Sequence, residues 1–282
     1  MLDFFSFLYR QLHRRWMYGL MATWVSFSLI LTTPQPGHAV SILELLLRGV
    51  QIIQLSTLSD RQEVALGKQI NDQLVSNDVK LYTDRAVNSY VNEIGQTLVP
   101  YSERSNLPYT FQVVDNDQIN AFATMGGYVY VTTGLMKAAD NEAQLASVIG
   151  HEIGHIASRH ALEQMREMAL AQGVISAAGI DRNAAVNIGV ELALRRPNSR
   201  QDEFEADQRG LTMLQQSGYA PRAMVDFMQK LLNQRSVPTF LSTHPAVSAR
   251  IDALNRAIDP ATASTGAGLD SSAYRSRIGN LS

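Results

Sequence analysis

The sequence predicts an α+β fold, mainly helical, with a small β-sheet beside one long central helix. Three observations predict it. Long stretches carry apolar residues three and four apart, the period of a helix with one buried face. Two short stretches are instead rich in β-branched and aromatic residues and bounded by turn formers. The chain has 282 residues, 45% hydrophobic and 18% charged, so it has ample material for a core.

The elements follow in order. Arg10, Arg14 and Arg15 precede an uncharged run over 16–33, and PQPGHA follows at 34–39. A charged flank, an apolar run and a small-residue exit at Gly37 and Ala39 make a secretory signal cleaved after Ala39, or a retained anchor, since the run is just long enough to span a bilayer. Either way the rest of the chain is expected to be exported, periplasmic or anchored facing outward. Residues 40–258 are expected to form one domain. Within it, 41–58 is apolar and packs on the domain, and 61–98 has helical spacing. YTFQVV at 109–114 is a predicted strand, and GGYVYVTTG at 126–134 a second. A long helix is expected over 141–171. Residues 174–194, rich in Ala, Gly and Val, are compatible with a helix or with a mobile lid. Residues 202–216 are helical again and end before Gly218; Pro221 suits the first turn of a further helix. THP at 243–245 opens a last helix to about 258. The polar stretch 259–282, rich in Ser, Gly and Ala, is expected to be a disordered tail.

Composition excludes some functions. A formal net charge of −2 leaves no basic footprint for nucleic acid. With no cysteine there is no disulfide framework, thiolate metal site or cysteine nucleophile.

The chemistry concentrates in VIGHEIGHIASRH at 148–160, which holds three of the six histidines. On a helix, residues four apart differ by about 40° around the axis and about 6 Å along it. His151 and His155 therefore share a face, where two imidazoles can reach one zinc ion. Glu152 sits about 100° round, bordering the site as a general base rather than a ligand. Gly150 and Gly154 cost helix propensity, which implies close packing there. His160 lies about 140° from His155 on a continuous helix and is expected to be a surface or packing residue. A catalytic zinc has three protein ligands and one open position. SRQDEFEAD at 199–207 offers the third: Glu203 and Asp207 are four apart on one helical face, with Ala206 and Gly210 small enough to let the two helices approach. Glu203 is then the ligand, and Asp207 orients a ligand histidine from behind. An acidic first turn favoured by the helix dipole accounts for Asp202 and Glu205.

HEIGH at 151–155, SRQDEFEAD at 199–207, THPAVSARI at 243–251 and INAFATMGGYVYVTTGLM at 119–136 together resemble the M48 family of zinc metallopeptidases, the gluzincins, most of all its exported BepA-like and LoiP-like branch. The chain departs from BepA-like members in having the predicted polar tail where they carry a TPR array, and from LoiP-like members in having no cysteine to lipidate. The resemblance implies a zincin-like metallopeptidase domain with one Zn2+ per chain held by His151, His155 and Glu203, and Glu152 as catalytic base. It also points to His244 near the metal, either stabilising the oxyanion or occupying the open position at rest, and matches Arg250 to the family's arginine. The strand Tyr128, Val129, Tyr130 and Val131 is expected to present an edge for an extended peptide beside the cleft. The activity implied is a zinc-dependent endopeptidase of the bacterial cell envelope acting on unfolded or misassembled exported proteins, with membrane association through the N-terminal segment. The alternative is a chaperone-like binder with a latched, rarely active zinc site.

Overall fold

The computed structural model describes residues 52–176, 179–195, 197–279 and 281. The predicted signal or anchor at 1–39 lies outside the described residues, as does most of the apolar stretch at 41–58. Among the described residues no helix is long and apolar enough to cross a membrane.

The predicted helical stretch at 61–98 is two helices. α1 (Asp60–Asn77) starts at a capping box, Ser59 accepting from Gln62 N while the Gln62 side chain accepts from Ser59 N. α2 (Arg85–Leu98) is capped by Asp84 and buries Val87, Val91, Ile94 and Leu98 along one stripe. The central sheet follows: β2 (Thr110–Val114), β3 (Ala121–Thr124) and β4 (Tyr128–Thr132), in the order β2-β4-β3. β4 pairs parallel with β2 and antiparallel with β3. A second small sheet joins β1 (Ile52–Ile53) to the hairpin of β5 (Ile175–Ser176) and β6 (Gly179–Asp181).

The strand expected to offer an edge, Tyr128 to Val131, is instead the middle of the sheet. Val129, Tyr130 and Val131 are 0% exposed. Val129 and Val131 enter one core, with α2 and the metal-site helix, and Tyr130 enters a second core, with α1 and residues 162–192. Apolar residues on both faces are the mark of a fully covered central strand. The outer strands are β2 and β3, and among the described residues no strand pairs to the outer side of β3, which the sequence reading did not identify.

The expected helix over 141–171 is broken. After α3 (Thr133–Ala138), α4 (Glu142–Ala157) stops at Ser158, and Arg159 adopts a left-handed conformation, φ 59°, before α5 (His160–Ala171). Arg159 is held there by ion pairs to Asp60 and Glu63. Residues 174–194 form the β5–β6 hairpin and α6 (Arg182–Arg195). α7 (Arg200–Gln216), α8 (Arg222–Leu232), the short α9 (Thr239–Thr243) and α10 (Val247–Ala257) complete the predicted helices.

The expected disordered tail is also ordered. It forms α11 (Ser271–Arg277), capped by Asp270. Tyr274 is 1% exposed, and its hydroxyl donates to Met136 O at 2.7 Å. Ile278 is buried as well. Gly268 O accepts from Ala143 N at 2.9 Å, satisfying one of the unpaired amides at the start of α4. Composition predicted disorder because two apolar anchors, four residues apart, are hidden among polar neighbours.

Candidate active site

α4 and α7 build the site by lying unusually close. A Cβ on Gly154 would stand 2.6 Å from Ala206 O, and one on Gly210 3.0 Å from His151 N. Only a glycine fits at Gly154, facing Ala206 across the helix crossing. That approach brings Glu203, near the start of α7, onto the face of α4 that carries His151 and His155. Asn141 caps the start of α4 by accepting from Gln144 N, and Ser199 with Asp202 forms a capping box on α7. Asp202 thus serves its helix end.

Four donor groups converge: His151, His155, Glu203 and His244, all buried. His155 Nε2 and His151 Nε2 are 3.0 Å apart, and His244 Nδ1 is 3.2 Å from His151 Nε2. Glu203 reaches His151 Nε2 at 3.4 Å, His155 Nε2 at 3.3 Å and His244 Nδ1 at 3.1 Å. Ligands about 2.0–2.1 Å from a tetrahedral zinc stand about 3.3–3.4 Å apart. The spacing and chemistry of the donor set therefore fit that ion.

Behind the donors stands a charged frame. Asp207 Oδ1 is 2.9 Å from His151 Nδ1. Arg250 donates to both Asp207 oxygens, at 2.6 and 2.7 Å, and to Glu203 Oε2. Its Nη1 also donates to His244 O at 3.3 Å. Burial opposes charge on every member. Even so, the histidines around Glu203 hold its carboxyl far below the usual range. Asp207 is also depressed against burial, by Arg250 and His151. Burial and Arg250 work against a charged His151, yet its bonds to Asp207 and Glu203 raise it to about 9. His155 has no carboxylate behind it, and burial pushes it down to about 3.

Glu152 borders this cluster. It is buried, its Oε1 lies 3.5 Å from His244 Nε2, and that oxygen has no hydrogen-bond partner among the described residues. Burial raises its carboxyl above the ordinary range. Glu152 faces a cavity of about 60 Å³, walled by Phe122 and Thr124 at β3, by Leu192 and Ala193 of α6, and by His155 and His244.

Two residues near the donors were missed or misread from sequence. Asn198 Nδ2 lies 3.4 Å from both His155 Nε2 and His244 Nδ1, held by Gln164 Nε2 donating to its Oδ1 at 2.8 Å. Its position in the break RRPNSRQ gave no periodic signal. His160 is not on the surface. It is 4% exposed, and its Nδ1 is 2.8 Å from His155 Nδ1. The helix break at Arg159 overturns the 140° offset.

A model of Peptidase family M48 matches residues 85–258. The beta-barrel assembly-enhancing protease of Escherichia coli K12 is 36% identical over 220 residues, 72% of this chain and 45% of that protein. A putative protein of the same name from Vibrio cholerae is 32% identical over 216 residues, 70% of this chain and 44% of its own. The mitochondrial metalloendopeptidase OMA1 of Bos taurus is 29% identical over 264 residues, 86% of this chain and 49% of its own. The chain spans about half the length of these curated relatives. The matched region contains the HEIGH helix, Glu203, Asp207, His244 and Arg250, so the chain belongs to Peptidase family M48.

Proposed function

We propose that this protein is a zinc-dependent endopeptidase of the bacterial cell envelope that hydrolyses peptide bonds in unfolded or misassembled exported proteins. The observation that carries it is Glu152: a buried carboxylate whose Oε1 has no hydrogen-bond partner among the described residues, set against four zinc-type donors. An unsatisfied buried acceptor costs on the order of 1–3 kcal/mol, so such a group points to function rather than to stability. His151, His155 and Glu203 would hold the ion, and Asp207, 2.9 Å from His151 Nδ1, would fix its tautomer by taking the outer N–H. Zinc supplies a Lewis acid that polarises the scissile carbonyl and acidifies the attacking water. Glu152 takes the proton from that water and passes it to the leaving amine; its raised affinity for protons suits both steps. The outer edge of β3, with no strand paired to it among the described residues, offers backbone groups to an extended substrate. Backbone recognition selects unfolded chains over folded ones. The names of the Escherichia coli and Bos taurus relatives, a protease and a metalloendopeptidase, support the reaction class.

A second reading has its own observation. His244 Nδ1 stands at tetrahedral spacing from His151 and Glu203, so the fourth position is filled from within the chain. A protein held in that state works as a chaperone-like binder whose zinc site rarely turns over. Substitution separates the two. The full-length chain, its Glu152→Gln variant and a chelated sample with zinc restored are incubated with casein. Cleavage by the wild type alone, restored by zinc, is the expected result; Glu152→Gln loses about 10²–10⁴-fold in rate while keeping its zinc. Absence of cleavage by a zinc-loaded wild type favours the binder.

A further inference from the structure

We infer that His160 is a positioning residue for the zinc site, orienting His155 and coupling it to the carboxylates of Asp202 and Glu205. The inference rests on the zinc reading above. The two ligand histidines of α4 are supported differently. His151 has a carboxylate directly behind it, with Asp207 Oδ1 2.9 Å from Nδ1. His155 has none; the group at its Nδ1 is the His160 imidazole at 2.8 Å. With Nε2 of His155 turned to the donor cluster, its Nδ1 carries the proton and donates to His160 Nδ1. His160 then carries its own proton on Nε2. That atom lies 3.6 Å from Glu205 Oε2 and 3.9 Å from Asp202 Oδ1. The two imidazoles thus form a chain from the metal site to two partly exposed carboxylates.

The backbone shows that this arrangement is built. On a continuous helix His160 would point about 140° away from His155. It points back because Arg159 sits at φ 59°, a conformation a non-glycine residue adopts only at a cost. Arg159 is tied there by Asp60 and by Glu63, which lies at 3.2 Å from its Nε, and Arg104 ties the same two acids to Ile156 O at the end of α4. Four charged residues thus hold one strained turn, and the side chain it aims meets a predicted ligand.

The test compares zinc affinity, by competition with a chromophoric chelator, in the full-length wild type, His160→Leu and His160→Gln. The cobalt-substituted proteins are compared by their visible absorption bands. A leucine cannot accept from His155 Nδ1; a glutamine carbonyl can. We expect His160→Leu to bind zinc about 10–100-fold more weakly and to shift the cobalt bands. His160→Gln should recover most of the affinity and a near wild-type spectrum. Should the leucine variant not fold, Asp202→Asn combined with Glu205→Gln replaces it, both positions being partly exposed, and a weaker zinc affinity than wild type is expected. Equal affinity and spectra in folded His160→Leu, or a glutamine variant no better than the leucine one, overturn the inference. A wild type that binds no zinc overturns the metal reading itself, which separates the two failures.

Discussion

At the scale of single residues, Arg250 and His244 set the terms of the site. The Arg250 guanidinium touches both Glu203 and Asp207, as the His151 imidazole does. Removing it breaks a buried ion pair and leaves the two carboxylates with imidazoles as their remaining partners. We expect Arg250→Met to lower stability by about 3–5 kcal/mol, read from urea unfolding of the zinc-free protein. His244 offers a sharper question, because its Nδ1 lies 3.2 Å from His151 Nε2 and its Nε2 3.5 Å from Glu152 Oε1. If it latches the site, His244→Ala raises the rate of casein cleavage by the zinc-loaded protein. A fall in the rate with zinc retained would assign it to transition-state stabilisation instead. The sequence exposed these residues unequally, for a physical reason. His151, Glu152 and His155 were legible because their relation depends only on the pitch of one helix. Glu203 and Asp207 followed from a second pitch. His160 was misplaced because its direction depends on one left-handed residue that no periodicity reveals. Asn198 sits in an aperiodic break and is positioned by Gln164, thirty-four residues away.

At the scale of elements, the crossing of α4 and α7 decides whether donors from two helices can meet. The two glycines of IGHEIG behave differently there. A methyl at Gly154 would meet the backbone of Ala206 at 2.6 Å, whereas one at Gly150 has its nearest atom, Gly210 O, at 3.5 Å. We expect Gly154→Ala to push the helices apart, costing about 1–3 kcal/mol and weakening zinc binding. Gly150→Ala should be tolerated or stabilise by about 0.5–1 kcal/mol through helix propensity. Thermal melts and chelator competition on the two variants check the contrast. Close packing was anticipated from these glycines, since an alanine-rich helix spends stability to hold them. The strand assignment went wrong at the same scale. YVYV reads as a strand because it is β-branched and aromatic, while its edge role comes only with the family resemblance; its apolar groups lie on both faces, which a covered strand satisfies. The true edge, AFAT in β3, is short and small-residue rich, and carries too weak an alternation to be distinguished from a loop.

At the scale of the whole molecule, two features stand out. The first is closure. A cavity of about 60 Å³ beside Glu152 is well below the roughly 300–1,000 Å³ of an ordinary ligand site. The second is the belt formed by residues 259–279, which lies beyond the stretch matched by the family model. Its anchor is Tyr274, buried between Tyr90 and the end of α3, and Arg277 stacks over the Tyr90 ring at 4.2 Å while pairing with Glu93. We expect Tyr274→Ala to cost about 3–5 kcal/mol and lower the melting temperature. Unchanged melting would mean that the belt does not contribute to the core. The overall class, a helical domain with a small sheet, was legible because it rests on summed periodicity. The belt was not, since its order comes from contacts far along the chain, with residues 218–222 as well as with Ala143, Met136 and Tyr90.

That belt carries a consequence for the order of biosynthesis. Gly268 O satisfies the amide of Ala143 at the head of the HEIGH helix, and Tyr274 secures the segment just before it. Until residue 278 has left the ribosome, the HEIGH helix lacks this support. A chain truncated before residue 268 would carry every one of these side chains on a helix whose first turn is less well held, so such a truncation is expected to lower the melting temperature.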